Sequence, residues 1–121
     1  MDSIKIKDRS FIFQNPTAWD GCILYDLTTS YDIPFGAAVV MGIQSIKQHM
    51  SAEQLIACMK LCLRYCTELI ENPDNPDKPY KIRVIDEIGG IAINNATPQL
   101  LTKLTAQYIL FFVESWQSES S

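Results

Sequence analysis

Cys58, Cys62 and Cys66 recur at four-residue steps, and thiols at such a spacing pose the question of a metal site. A thiolate site needs sulfurs that converge on one point about 2.3 Å from the ion. The surrounding apolar period predicts one long helix from about Ala52 to Glu71, with Leu55, Met59, Cys62, Leu63, Cys66, Leu69 and Ile70 on its inner side. On such a helix the three cysteines form a row roughly 12 Å long, at about 1.5 Å of rise per residue. A row does not enclose an ion, and parallel Cα–Cβ vectors one turn apart do not suit a disulfide. The pattern therefore predicts three small core side chains facing other helices.

Histidine occurs once, as His49, where a helix C-terminus would favour a cation. A nucleophile–base device would have to be built around it, with Cys22 and Asp20 as the candidates for its companions. Nothing in the spacing brings those residues to His49, so an enzyme using Cys22 and His49 is the minor alternative. The acidic residues Glu53, Glu68, Glu71, Asp74, Asp77, Asp86 and Glu87 fall mostly in first helical turns, loops or solvated faces. Asp74 and Asp77 lack the ligand order and glycine of a calcium loop, and Gly89-Gly90 lacks the spaced glycines of a phosphate cradle. No catalytic residue, metal ligand or cofactor is predicted. The aromatic residues point to binding instead. Phe111, Phe112 and Trp116 form the candidate surface for partner capture or self-association, with Trp116, beside the polar tail, the most accessible to a partner.

The elements that must position these residues read as one domain over residues 1–121. A β-hairpin occupies 1–14, from Ile4-Lys5-Ile6 and Ser10-Phe11-Ile12-Phe13-Gln14. A helical region follows over 16–71. Its first helix starts at Asn15-Pro16, as cap and first helical position, and carries Trp19, Ile23 and Leu27 on one stripe. A second helix opens at Asp32-Ile33-Pro34 and continues through an apolar run to Ile46. Ser51-Ala52-Glu53-Gln54 is a capping box that opens the third. Three prolines make residues 72–80 an exposed loop, and 81–93 reads as strand or irregular structure broken at Gly89-Gly90. Thr97-Pro98 starts the last helix, over 98–116, and 117–121 is a frayed tail. The expected fold class is α+β and predominantly α: about four helices, an N-terminal β-hairpin, and room for a second short strand pair.

Composition bounds the partners. Fourteen acidic residues against ten basic ones give a net charge of −4 and a pI near 4.8. Phosphate backbones and anionic lipid surfaces select the opposite balance, which argues against nucleic-acid and membrane binding. Neither a signal-peptide run nor a bilayer-length apolar segment is present in the sequence. A cytoplasmic, non-secreted protein with reduced thiols is expected, in the host cell's cytoplasm if the chain is phage-encoded.

In length and layout the chain resembles the small tail assembly chaperones of long-tailed bacteriophages and prophages. The resemblance is carried by the hairpin Ile4-Lys5-Ile6-Lys7-Asp8-Arg9-Ser10-Phe11-Ile12-Phe13 and the helix start Asn15-Pro16-Thr17-Ala18. Met50-Ser51-Ala52-Glu53-Gln54-Leu55 and the closing Leu100-Leu101-Thr102-Lys103-Leu104 to Phe111-Phe112 complete it. It implies a non-enzymatic protein that binds the tape measure protein, assists assembly of the tail tube protein, and can form a homo-oligomer. Many members are made in short and long forms through ribosomal frameshifting. A small interaction or structural subunit of another phage or bacterial assembly is the other expectation.

Overall fold

The computed structural model describes residues 3–30 and 51–120, with side chains over 3–26 and 51–115. Ile4–Ile6 (β1) and Arg9–Phe13 (β2) form the expected hairpin, in register Ile4↔Phe11 and Ile6↔Arg9. Lys7 makes the reversal possible with a left-handed φ of 58°. A helix over Ala18–Ser30 (α1) follows. After the undescribed stretch, Ala52–Leu63 (α2) opens on Ser51, whose side chain accepts from the Gln54 amide at 3.2 Å while Gln54 accepts from the Ser51 amide at 2.9 Å. Both halves of the capping box are formed, satisfying two amides that a helix start otherwise leaves bare.

The main correction to the sequence reading begins at Leu63. The predicted Ala52–Glu71 helix stops there, and Cys66–Ile70 is a β-strand (β3). It pairs antiparallel with β2, with Phe11 opposite Glu68 and Phe13 opposite Cys66. Tyr80–Arg83 (β4) pairs on its other side, with Glu68 opposite Ile82. The result is one antiparallel sheet in the order β1-β2-β3-β4. The expected predominantly helical fold of about four helices and a hairpin is thus replaced by a mixed one, with three helices and a four-stranded sheet among the described residues. The expected helix from Pro34 to Ile46 lies outside the described residues, as does His49.

The physical reason lies in the strand's position. β3 is hydrogen-bonded along both edges, and Cys66, Thr67 and Glu68 are all buried, on both faces of the sheet. A strand covered on both sides loses the alternation that marks a half-exposed one, and its apolar residues then extend the helical period by coincidence. The tertiary pairing wins. At the junction the Tyr65 amide donates to the Cys62 carbonyl at 3.1 Å, and the Tyr65 carbonyl accepts from the Gln14 amide at 3.0 Å, which starts the sheet alignment.

Pro98–Ser120 (α3) crosses one face of the sheet. Thr97 caps it, its hydroxyl accepting from the Leu100 amide at 3.1 Å, and Pro98 takes the first helical position, where no amide hydrogen is needed. Leu100, Leu104, Tyr108, Ile109 and Phe112 point into the core, against Phe11, Cys58, Cys62, Leu63, Cys66, Val84 and Ile93. Between β4 and α3 the chain makes a tight turn bridged at Ile85 and Ile91. There Asp86 accepts from the Ile88 and Gly90 amides at 3.0 and 2.8 Å, and Gly89 supplies a φ of 86°. Of the second short strand pair for which the sequence reading leaves room, one strand forms as β4 but pairs with β3, and its link to Ile91 is this single bridge.

Candidate functional site

Helix α1 begins two residues later than Asn15-Pro16 predicts. Thr17 is its cap: its carbonyl accepts from the Gly21 amide at 2.8 Å and its hydroxyl lies 3.4 Å from the Asp20 amide. Tyr65, at the α2–β3 junction, holds this start in place. Its hydroxyl donates to the Asp20 carboxylate and accepts from the Thr17 amide at 3.2 Å. Arg64 adds a 3.6 Å ion pair to Asp20 from a half-exposed position. Exposed pairs of that kind contribute little, so Tyr65 is the principal tether.

The tether sets the first turns of α1 against the C-terminal half of α3. Between them opens a cleft of about 400 Å³. Pro16, Ala18, Gly21, Cys22 and Tyr25 form one wall and Phe112 and Ser115 the other. Positions 18, 21, 22 and 25 make one helical stripe, as i, i+3, i+4, i+7. Gly21 keeps the cleft deep: a Cβ there would sit 3.8 Å from Pro16 Cγ and 3.9 Å from Phe112 Cε1, in ordinary contact.

The neighbouring stripe of α1 is a second correction. Trp19 and Ile23 share the apolar stripe of the sequence reading, the face an amphipathic helix ordinarily buries, yet Trp19 is 84% exposed and Ile23 50%. Leu24, which the i, i+4 stripe passed over, is the buried anchor. The period finds an apolar face without saying which of two apolar faces turns inward. Leu27, the third member, has no described side chain.

The predicted partner surface divides. Phe112 is buried and walls the cleft. Phe111 is half-buried on the other flank of α3, with its ring 5.6 Å from Phe13 and 5.7 Å from Tyr108. There it lines a second groove of about 370 Å³ with Ile4, Phe13 and Leu110. Trp116 lies on α3, and its side chain is outside the described residues.

The cysteines separate as well. Cys22 is exposed at the cleft, whereas Cys58, Cys62 and Cys66 are buried free thiols. The Cys66 thiol donates to the Cys62 carbonyl at 3.5 Å, and burial pushes it up from its ordinary value. A hydrogen bond shared with Cys58, reinforced by burial, pushes Cys62 up too. Cys62 and Cys66 are core groups rather than nucleophiles, whereas the same hydrogen bond with Cys62 lowers Cys58 from its ordinary value. Among the described residues no group of three or more His, Cys, Asp or Glu could hold a metal ion. Asp20, named as a companion for His49, accepts from the Tyr65 hydroxyl, and His49 lies outside the described residues. No described helix is long and apolar enough to cross a membrane.

Sequence reasoning missed Arg9 and Glu68. Arg9 grips the Glu68 carboxylate through Nε at 2.6 Å and Nη2 at 2.8 Å. It also donates to the Asn94 and Asn95 carbonyls at 2.7 and 3.1 Å, pinning the segment before α3 to the sheet. A buried carboxylate on a strand would have been the clue, and it was concealed by placing Glu68 on a helix.

No family model, curated protein or solved structure matches this chain. The class defined by the structure is therefore architectural: an antiparallel sheet of four strands with a long helix across one face and a short helix tethered beside it, framing an apolar cleft.

Proposed function

We propose that the chain is a non-enzymatic protein-binding module that seats an apolar helix of its partner in the α1–α3 cleft. One observation carries the reading. The cleft is walled by Pro16, Ala18, Gly21, Tyr25 and Phe112, and the adjoining α1 stripe exposes Trp19 and Ile23. Helix-in-groove recognition uses apolar anchors spaced at i, i+3, i+4 and i+7, and a groove bordered by large exposed apolar side chains suits such an occupant. With the resemblance to tail assembly chaperones, the occupant is an apolar segment of a tape measure protein, and the role is to hold it while tail tube subunits assemble. Phe112 belongs to this surface. Self-association through the same face is the competing use of it.

The test is co-expression with a tape measure fragment and purification through this chain, using wild type and Gly21→Leu. The leucine fills the cleft from a helix whose other contacts are untouched. Wild type retains the fragment and Gly21→Leu, verified as folded by circular dichroism, loses it. A wild-type chain that retains no fragment, or a Gly21→Leu chain that retains it fully, would sink the reading. Light scattering on the free chain reports the oligomer.

A further inference from the structure

The sheet has an open edge beside the second groove. β1 is its outermost strand among the described residues. Which backbone groups of β1 face outward follows from the register. The Gln14 amide donates to the Tyr65 carbonyl, so even-numbered positions of β2 bond toward β3 and the odd-numbered Arg9 and Phe11 bond toward β1. Their partners Ile6 and Ile4 therefore bond inward, and the amide and carbonyl of Lys5 between them point away from the sheet.

A strand added along this edge would meet Lys5 with its backbone and the groove with alternate side chains. Ile4 shares a sheet face with Phe11 and Phe13, the face that α3 crosses. There the groove of about 370 Å³ opens between these three residues and Leu110, Phe111 and Glu114 of the helix. That volume falls within the roughly 300–1,000 Å³ of ordinary ligand sites. Lys5 lies on the opposite face and is exposed. Strand addition draws affinity from main-chain hydrogen bonds and specificity from pockets for alternate side chains, and this edge offers both.

Charge selects the occupant. In an antiparallel pair of two β1 strands centred on Lys5, the two lysines would stand directly opposite each other, which is destabilising. A lysine on an edge strand thus works against pairing with a second copy. A carboxylate facing Lys5 turns the repulsion into attraction. Leu100 lines a cavity with Ile6 and Leu110 lines the groove with Ile4, so Glu114 lies beyond the Ile4 end. It is exposed and has no ion pair among the described residues, which favours a basic side chain there.

We propose that the β1 edge takes an extended segment of a partner protein as an added antiparallel strand, through an apolar–acidic–apolar sequence. The acidic residue faces Lys5, the apolar residues on either side enter the groove, and a basic residue two positions further on meets Glu114. The site is on the other flank of α3 from the Phe112 cleft and does not depend on the reading of that cleft.

The experiment is a ¹⁵N NMR titration of the full chain with synthetic peptides. The first is Thr-Ile-Glu-Val-Thr-Lys, the second has lysine in place of its glutamate, and the third is the first N-methylated at the glutamate amide. Wild type is compared with Lys5→Glu and with Gly21→Leu. The first peptide is expected to shift the Lys5 amide saturably and to bind wild type about fivefold more tightly than either of the others. Lys5→Glu should reverse the preference in favour of the lysine peptide, and Gly21→Leu should bind the first peptide as wild type does. No saturable binding, an unmoved Lys5 amide, equal binding of the N-methylated peptide, or an unreversed preference in Lys5→Glu would overturn the proposal. Loss of binding in Gly21→Leu would overturn it too, by placing the peptide in the cleft. So would a Lys5 shift that grows with chain concentration alone, which would assign the edge to a second copy.

Discussion

Arg9 and Glu68, 59 residues apart, close a two-pronged ion pair across the β2–β3 ladder, with the Glu68 side chain only 7% exposed. The pair ties together three parts of the fold that share no sequence neighbourhood. Glu68 lies in the central strand, Arg9 at the head of the hairpin, and the Asn94 and Asn95 carbonyls in the approach to α3. A buried carboxylate left alone pays its full desolvation cost, whereas replacing both partners with apolar groups removes the cost along with the attraction.

Arg9→Met is therefore expected to destabilise the chain by about 3 kcal/mol, a little of the full value being lost to the guanidinium's partial exposure. Arg9→Met/Glu68→Leu should be less destabilised than Arg9→Met alone, although it still lacks the bonds to Asn94 and Asn95. Urea unfolding of wild type, both single variants and the double variant measures the coupling. Strictly additive effects would show that the pair contributes nothing beyond its separate side chains.

Stability should also fall in alkali. Burial pushes the Cys66 thiol and the Tyr108 phenol upward, so the native state keeps protons that the unfolded chain gives up once pH passes the thiol's ordinary value of about 9.0. The unfolded state then binds fewer protons, and the free energy of unfolding declines as pH rises. The contribution is intact below pH 9 and is lost progressively above it. Each such group adds up to about 1.4 kcal/mol per pH unit. Cys66→Ala should flatten the slope between pH 9 and 11 by up to that amount, whatever its cost at pH 7. Equal slopes for Cys66→Ala and wild type would count against a protonated, buried Cys66.

How much of this was legible in the sequence depended on how local each signal was. The Ser51–Gln54 capping box, the Thr97-Pro98 start and the β1–β2 hairpin rest on contacts a few residues apart, and they form where the residue types indicate. β3 does not, because nothing between Leu63 and Cys66 is a glycine or proline break, and the strand's burial on both faces erases alternation. The β-branched Thr67 and Ile70, with Tyr65 and Cys66 before them, were the available hint. Phe112 was legible as apolar. That it meets Gly21 and Pro16 across a cleft was not, since the approach depends on Tyr65 holding α1 in place.

The cysteines offer a direct check on the strand. In the native chain Cys22 is exposed while Cys58, Cys62 and Cys66 are buried. A thiol reagent such as dithionitrobenzoate at pH 8 should modify one cysteine promptly and all four of the chain's cysteines only after unfolding in urea. Cys22→Ser should abolish the prompt phase. Prompt reaction of Cys66 would contradict its place at the centre of the sheet.

Gly21 provides the sharpest separation of stability from binding. A glycine inside a helix costs about 1 kcal/mol relative to alanine, through backbone freedom lost on folding. The alanine Cβ would rest 3.8 Å from Pro16 Cγ and 3.9 Å from Phe112 Cε1, contact distances that require no movement. Gly21→Ala is therefore expected to stabilise the chain by about 0.5–1 kcal/mol, read from the urea midpoint. One methyl group also leaves most of the cleft of about 400 Å³ open, so Gly21→Ala should retain a helical partner that Gly21→Leu excludes. A Gly21→Ala chain less stable than wild type would show that α1 approaches α3 more closely than these distances allow. The pair of substitutions thus tests the packing of α1 and the use of the cleft independently.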